Sequence, residues 1–327
     1  MNIRERRAIH DRAAQALNQA PQAQQIALVY AAVCIGLSLL STLISVLLSD
    51  KIAGTGGLGN IGLRSVLSTG QSVLPLINFV ITACLSIGYH TAILSFTRGY
   101  DASVRTLSGS FRYWGAILRT LLLQVIIFGG AFLLSTYISS FIFLATPYSG
   151  KFTQIMTPYL ESMTVLSDGL VLDDALFTSL MGAMMPMMWI LAAVCLVLIL
   201  PLYYRFRMVE FALADDPQRG AIHALLKSRL LMRRNCFALF RLDLTLWWFY
   251  AAQLLISLVC YGDLLLPLVG VSFPWSETFS YYLFYGLSLA LQAALYVYGM
   301  NRVYAAYAVA YDALMEELPQ PELPAQM

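Results

Sequence analysis

The chain has 327 residues, of which 59% are hydrophobic and 12% charged, about half the charged fraction of an ordinary soluble domain, roughly 25%. So few charges cannot cover a water-facing surface, and the apolar residues come in runs of about 20 rather than in the stripes of a soluble core, as a lipid solvent demands. The formal charge of +2 argues against a nucleic-acid partner, and Cys34, Cys84, Cys195, Cys236 and Cys260 are too scattered for a zinc or redox pair and read as small apolar core residues.

In chain order, residues 1–24 are expected to form a cytoplasmic basic amphipathic helix, Ala-rich from Arg4 to Gln19. The membrane domain then covers 25–311, with six predicted spans at 25–48, 73–97, 113–145, 183–204, 244–268 and 279–311, each long enough to cross once. The first span is too long for a removable signal peptide and lacks its cleavage site, so it is expected to stay as an anchor. The third and sixth exceed the minimum and must tilt, bend or project, with Gly129-Gly130 offering the third a place to bend. Residues 312–327 form a cytoplasmic tail, expected to be disordered beyond Glu317. The predicted fold class is therefore all-α, a polytopic transmembrane helical bundle of about six spans with amphipathic interfacial helices on the cytoplasmic side.

Orientation follows from the basic residues, because cytoplasmic loops carry the excess. With the N-terminus inside, 17 of the 20 Lys and Arg fall on the inner side, leaving Lys51, Arg64 and Lys151 outside. Adding or losing one span would scramble that alternation. The outer connections are a Gly-rich stretch from Gly54 to Gly62 and an acidic loop carrying Glu161, Asp168, Asp173 and Asp174.

The inner connection from Asp215 to Arg241 opens at Pro217, a residue suited to a first helical turn. Ala221, Ile222, Leu225, Leu226 and Met232 give it an apolar face, and Lys227, Arg229, Arg233, Arg234 and Arg241 occupy the rest. That is the composition of a helix lying in the membrane interface. The shorter stretch from Asp101 to Phe111 repeats the pattern, with Val104, Leu107 and Phe111 opposite Arg105 and Arg112. Two readings stand: a positive-inside topology anchor, or recognition of an anionic lipid headgroup or a partner.

Two stretches resemble a known family: Gly88-Tyr89 through Arg98-Gly99 to Leu107, Gly109 and Phe111, and Asp216-Pro217, Ser228, Leu231-Met232, Phe240, Leu242, Leu244, Thr245 and Trp248. Together they look like an uncharacterised bacterial integral membrane family, a domain of unknown function grouped with the YciC-like and glycerophosphodiester-phosphodiesterase membrane domains. An Arg-Gly step after a transmembrane helix is its mark. Where that family has Gly and then a basic residue after Leu-Met, this chain has Arg234 and Cys236. The resemblance implies a fold and a place in the bacterial cell membrane, and no activity.

Buried polar side chains are the remaining lead. His90, Gln124, Gln253 and Gln292 fall in the inner halves of spans two, three, five and six, where they would be unsatisfied against lipid and are expected to point into the bundle. They read either as interhelical hydrogen bonds or as a polar pocket open to the cytoplasm, in which His90 alone titrates near neutral pH. The tyrosines Tyr281, Tyr282 and Tyr285, and Tyr304, Tyr307 and Tyr311, suit the two headgroup belts. No phosphate loop, His-Glu-x-x-His helix or Gly-x-Ser-x-Gly elbow occurs, and no cofactor or metal is expected.

The expectation is a non-enzymatic membrane protein, either a small-solute carrier or an accessory subunit of a membrane complex. Its partners would be the bilayer, anionic headgroups, and a protein partner or second copy. The competing reading is a membrane-embedded lipid-modifying enzyme, with Asp243, beside Arg241, as its acid and an ion-paired helix terminus as the plainer account of that residue.

Overall fold

The computed structural model describes residues 3–54, 61–165, 174–263, 266 and 276–317. Among these every regular element is helical. Asp168 and Asp173 of the acidic loop, most of the Gly-rich connection, the far end of the fifth predicted span and the tail after Glu317 lie outside them.

The chain forms two compact units, residues 1–120 with 207–327, and residues 121–206. In the first, α1 (Ile3–Gln19) stops before Pro21, since a proline disfavours helical geometry in the residue before it. In α2 (Gln22–Gly54), Ala23, Ile26, Ala27, Tyr30, Ala31 and Cys34 are buried at the spacing of one helical face. Further along, Leu39, Leu40, Leu43 and Leu47 stand about half exposed, tolerable only in an apolar solvent. Helix α3 (Ile61–Thr97) pairs with α2 and begins well before the predicted span. Its last third, from Cys84 to Phe96, is buried on nearly all sides, which makes it the central helix of this unit.

Short α4 (Val104–Gly109) lies directly on α3 at Gly88, where a Cβ would come 2.5 Å from the Leu107 carbonyl oxygen. A tight turn at Ser110–Tyr113 follows, pinned by the Ser110 hydroxyl, which donates to the carbonyls of Cys84 (2.6 Å) and Leu107 (2.9 Å). The chain then enters α5 (Trp114–Leu144), which runs unbroken through Gly129-Gly130.

The second unit holds the rest of α5, α6 (Tyr148–Val165) and α7 (Asp174–Phe206). Phe143 meets Phe152 edge to face, as Phe128 meets Phe206. The acidic outer loop of the sequence reading therefore contains a helix, α6, too polar to read as a span and too regular to be a loop.

Back in the first unit, α8 (Val209–Asp215) buries Val209, Phe211, Ala212, Leu213 and Ala214 against α3. A turn at Pro217–Arg219 leads into α9 (Gly220–Met232). The predicted fifth span begins at the last residues of α10 (Cys236–Thr245), which meets α11 (Trp247–Cys260) at Leu246 with a bend of 68°. Helix α12 (Glu277–Leu295) passes through a widened turn at Tyr296–Met300, where Gly299 makes room for the Trp248 ring, into α13 (Asn301–Glu316). Helix α13 packs on α1 and α3 and buries almost every residue from Val303 to Tyr311.

Among the described residues five helices are long and apolar enough to cross a membrane, and the bent α10–α11 pair makes a sixth if it is one span. Their apolar stretches are mostly turned outward rather than buried. That is the signature of a helical bundle in lipid.

Candidate functional site

Helix α3 ends in a left-handed cap. Gly99 has φ +79°, the Tyr100 N–H donates to the Ser95 carbonyl (2.8 Å) and the Gly99 N–H to that of Phe96 (3.1 Å), the paired bonds that close a helix terminus. The cap aims Arg98. Its guanidinium donates to Asp215 Oδ1 on α8 (2.7 Å) and to Asp312 on α13, at 2.7 Å from Nη2 and 3.2 Å from Nε. Lys227 of α9 donates to Asp215 Oδ2 (2.8 Å), Tyr311 donates to the same oxygen (3.0 Å), and the Lys227 ammonium lies over the Tyr311 ring. Two cations and two carboxylates thus neutralise one another and tie α3, α8, α9 and α13 together. The Asp312 hydrogen bond is the main cause that pushes the Arg98 pKa up, with Asp215 adding to it and burial opposing.

Beside this network a cleft of about 820 Å³ opens between α1, the end of α3 and α13. Its polar lining includes Arg12, Gln15, Gln19, Arg98, Asp312 and Glu316.

Of the side chains singled out in the sequence, Gln253 and Gln292 meet: each amide donates to the other's oxygen, at 3.1 and 3.3 Å, joining α11 to α12. His90 stands elsewhere, 1% exposed, between α3 and α8. Its Nδ1 lies 2.6 Å from the Ser86 carbonyl and its Nε2 3.2 Å from Glu210 Oε2. Gln124 is half-buried on α5 within the second unit. Asp243 is buried on α10 and accepts from Tyr307 (2.6 Å), whose hydroxyl also bonds that of Tyr250. The Arg207 guanidinium covers the Tyr307 ring at 4.6 Å. Arg241, two residues from Asp243 and so on another face of the helix, stacks on Phe237 instead.

Of the residues predicted for the interface, Arg105, Arg112, Arg229, Arg233 and Arg234 are exposed. Lys227 is not: it is turned inward, 7% exposed, because Asp215 lies within reach at the end of α8. The apolar face of α9 divides, with Ala221, Leu225 and Met232 buried and Ile222 and Leu226 exposed. His223 on the same helix is pushed below its ordinary pKa by burial and then by Arg219 and Lys227, against Asp216. Tyr307 and Tyr311 depart from the headgroup-belt reading, each at most 1% exposed, whereas Tyr281 and Tyr282 are nearly half exposed. Sequence reasoning missed Glu210 and the carboxylate partners of Arg98. The one available signal was the spacing of Tyr304, Tyr307 and Tyr311, which is that of a single helical face.

The two stretches quoted for the family resemblance therefore meet in space, Arg98 from the first reaching Asp215 at the threshold of the second. Residues 2–291 match the pattern of a protein family described as a protein of unknown function, DUF975. The chain belongs to the DUF975 family. No curated protein and no solved structure matches it. The DUF975 match includes Arg12, Arg98, Glu210, Asp215 and Lys227 and ends within α12, so Tyr307, Tyr311 and Asp312 lie beyond it.

Proposed function

We propose that this DUF975 chain is a non-enzymatic, multi-pass protein of the plasma membrane, with both termini in the cytoplasm, and that it carries a small zwitterionic solute taken up at its cytoplasmic end. The cleft beside Arg98 carries this reading. Its volume, about 820 Å³, is in the range of small-molecule sites, roughly 300–1,000 Å³. Beside the Arg98–Asp312 pair, the amides of Gln15 and Gln19 and the exposed charges of Arg12 and Glu316 line one concave surface, so a ligand bearing both signs of charge meets Glu316 for its cation and Arg12 for its anion. Arg98 and Asp312 are held in place by the network behind them, while Arg12 and Glu316 stand exposed at the rim.

The exposed cations support a second contact. Exposed Arg105 and Arg112 share one short stretch of sequence with the exposed Phe111 and Trp114, and Arg229, Arg233 and Arg234 another with Ile222, Leu226 and Phe237. Apolar side chains in the acyl boundary with guanidinium groups at the headgroups is the arrangement that attracts anionic lipid. The lipid-modifying alternative gains nothing from Asp243, whose carboxylate is engaged by Tyr307 inside the protein.

The test is a thermal-shift screen of the purified protein in nanodiscs against free amino acids, simple amines and simple carboxylates. A saturable rise in melting temperature with one or more amino acids, lost in Arg12→Gln and Glu316→Gln, is the expected result. The solute that binds should then enter proteoliposomes containing the wild type. No shift with any solute, or binding without uptake, would overturn the carrier reading.

A further inference from the structure

We propose that His90 and Glu210 form a proton-binding pair, in which a half-exposed carboxyl group exchanges a proton between water and a buried imidazole. The acceptors around the ring fix which of its nitrogens holds a hydrogen. His90 Nδ1 lies 2.6 Å from the Ser86 carbonyl oxygen, and a carbonyl only accepts, so Nδ1 carries a hydrogen. In a neutral ring the other nitrogen, Nε2, is then a bare lone pair. That nitrogen is buried, has no aligned hydrogen bond, and faces Glu210 Oε2 at 3.2 Å. A lone pair set against an ionised carboxylate in apolar surroundings is repulsive. The opposite tautomer only moves the fault, setting a bare Nδ1 against the Ser86 oxygen at the shorter distance.

One added proton removes the conflict. It comes from water, forms a single O–H or N–H bond and needs no other reactant. The surroundings decide where it rests. Phe211 of α8 and Tyr304 of α13 stand edge-on to the ring at 4.7 and 4.8 Å, Tyr89 lies beyond at 6.5 Å, and Tyr30 of α2 stacks on Tyr89. The charged groups that face His90 are Glu210 and Arg207. An imidazolium walled in by aromatic rings beside a guanidinium is costly, so the proton rests on Glu210 as an O–H donating to Nε2.

The two groups also differ in access. The His90 side chain is 1% exposed and that of Glu210 is 45% exposed and about one and a half helical turns from the charged turn at Asp216–Arg219, so the carboxyl is the group that a proton from outside reaches first and the ring the group behind it. Glu210 sits in the first turn of α8, where a change of side-chain rotamer moves the carboxyl between the outside and the ring without moving the helix. This site stands whether or not a solute binds the cleft, because it is read on the protein alone.

The experiment uses the full-length protein in detergent micelles with nitrogen-labelled histidine. The chain has three histidines, His10, His90 and His223, so His10→Gln and His223→Gln assign the spectrum. Between about pH 4 and pH 10, which brackets the ordinary carboxyl and imidazole ranges, His90 Nε2 should show one transition. In the difference spectrum between wild type and Glu210→Gln, in which the other Asp and Glu carboxyls cancel, a protonated-carboxyl infrared band should be lost at the same pH. In Glu210→Gln the amide donates to Nε2 as the protonated acid does, so the fold should keep its melting temperature while the transition vanishes. In His90→Gln, which keeps the carboxyl but removes the nitrogen that accepts its proton, the Glu210 band should be lost at a lower pH than in the wild type. An unchanged His90 transition in Glu210→Gln, a difference spectrum with no carboxyl band at that pH, or a wild-type Nε2 signal flat across the range would overturn the proposal.

Discussion

Gly99 and Gly88 do different work, and their substitutions separate it. Gly99 holds a positive φ with nothing within 4 Å of an added Cβ, so Gly99→Ala costs only the left-handed backbone conformation, about 1 kcal/mol. Gly88 has ordinary helical geometry, but its Cβ would enter the Leu107 backbone at 2.5 to 2.9 Å, and backbone cannot yield as the tip of a flexible side chain does. Gly88→Ala should therefore be the more damaging, at roughly 2–3 kcal/mol from overpacking. Melting of both variants in detergent checks the order, and a Gly99 variant less stable than the Gly88 variant would contradict it. The Arg98-Gly99 step was legible in the sequence as a motif, since a glycine just past an apolar run is a helix stop. What Arg98 grips was not legible, because Asp215 and Asp312 are distant in sequence and nothing local marks a carboxylate as a partner.

At the scale of elements, Asp215 is the junction. It receives Arg98 from α3, Lys227 from α9 and Tyr311 from α13. Asp215→Asn leaves a 7%-exposed ammonium without its counter-charge, and breaking a buried pair from one side costs about 3–5 kcal/mol. The neighbouring Asp216 pairs with Arg219 across an exposed turn, an interaction of about 0–1 kcal/mol. Denaturation of Asp215→Asn and Asp216→Asn side by side should show a large loss in the first and almost none in the second. Equal losses would mean that the network does not hold the helices together. Hydropathy alone located the apolar cores of α2, α3, α5, α7 and α12, because lipid-facing stretches are apolar whatever they pack against. It began the fifth span at Leu244, two residues before the 68° bend at Leu246, but gave no sign of the bend itself, because a change of direction leaves no mark on an average. It ran α12 and α13 together as one span, and the helix is indeed continuous through the widened turn at Tyr296–Met300, which is itself apolar.

Over the whole molecule the charges fall into two populations that composition cannot separate. Lys227 and Arg229 are two residues apart on α9, yet the first is turned inward on Asp215 and the second is exposed with Arg233 and Arg234. Each exposed cation near an anionic leaflet is worth about 1 kcal/mol. Replacing Arg229, Arg233 and Arg234 together with Gln should therefore remove about 3 kcal/mol of lipid attraction and leave the melting temperature in neutral detergent nearly unchanged. Lys227→Gln should do the reverse, lowering the melting temperature while the purified protein keeps its anionic lipid. Mass spectrometry of co-purified lipid, with melting of the same samples, reads both. If the triple variant retained as much anionic lipid as the wild type, the arginines would serve orientation alone. If Lys227→Gln lost lipid without losing stability, its inward pairing with Asp215 would not be what holds it.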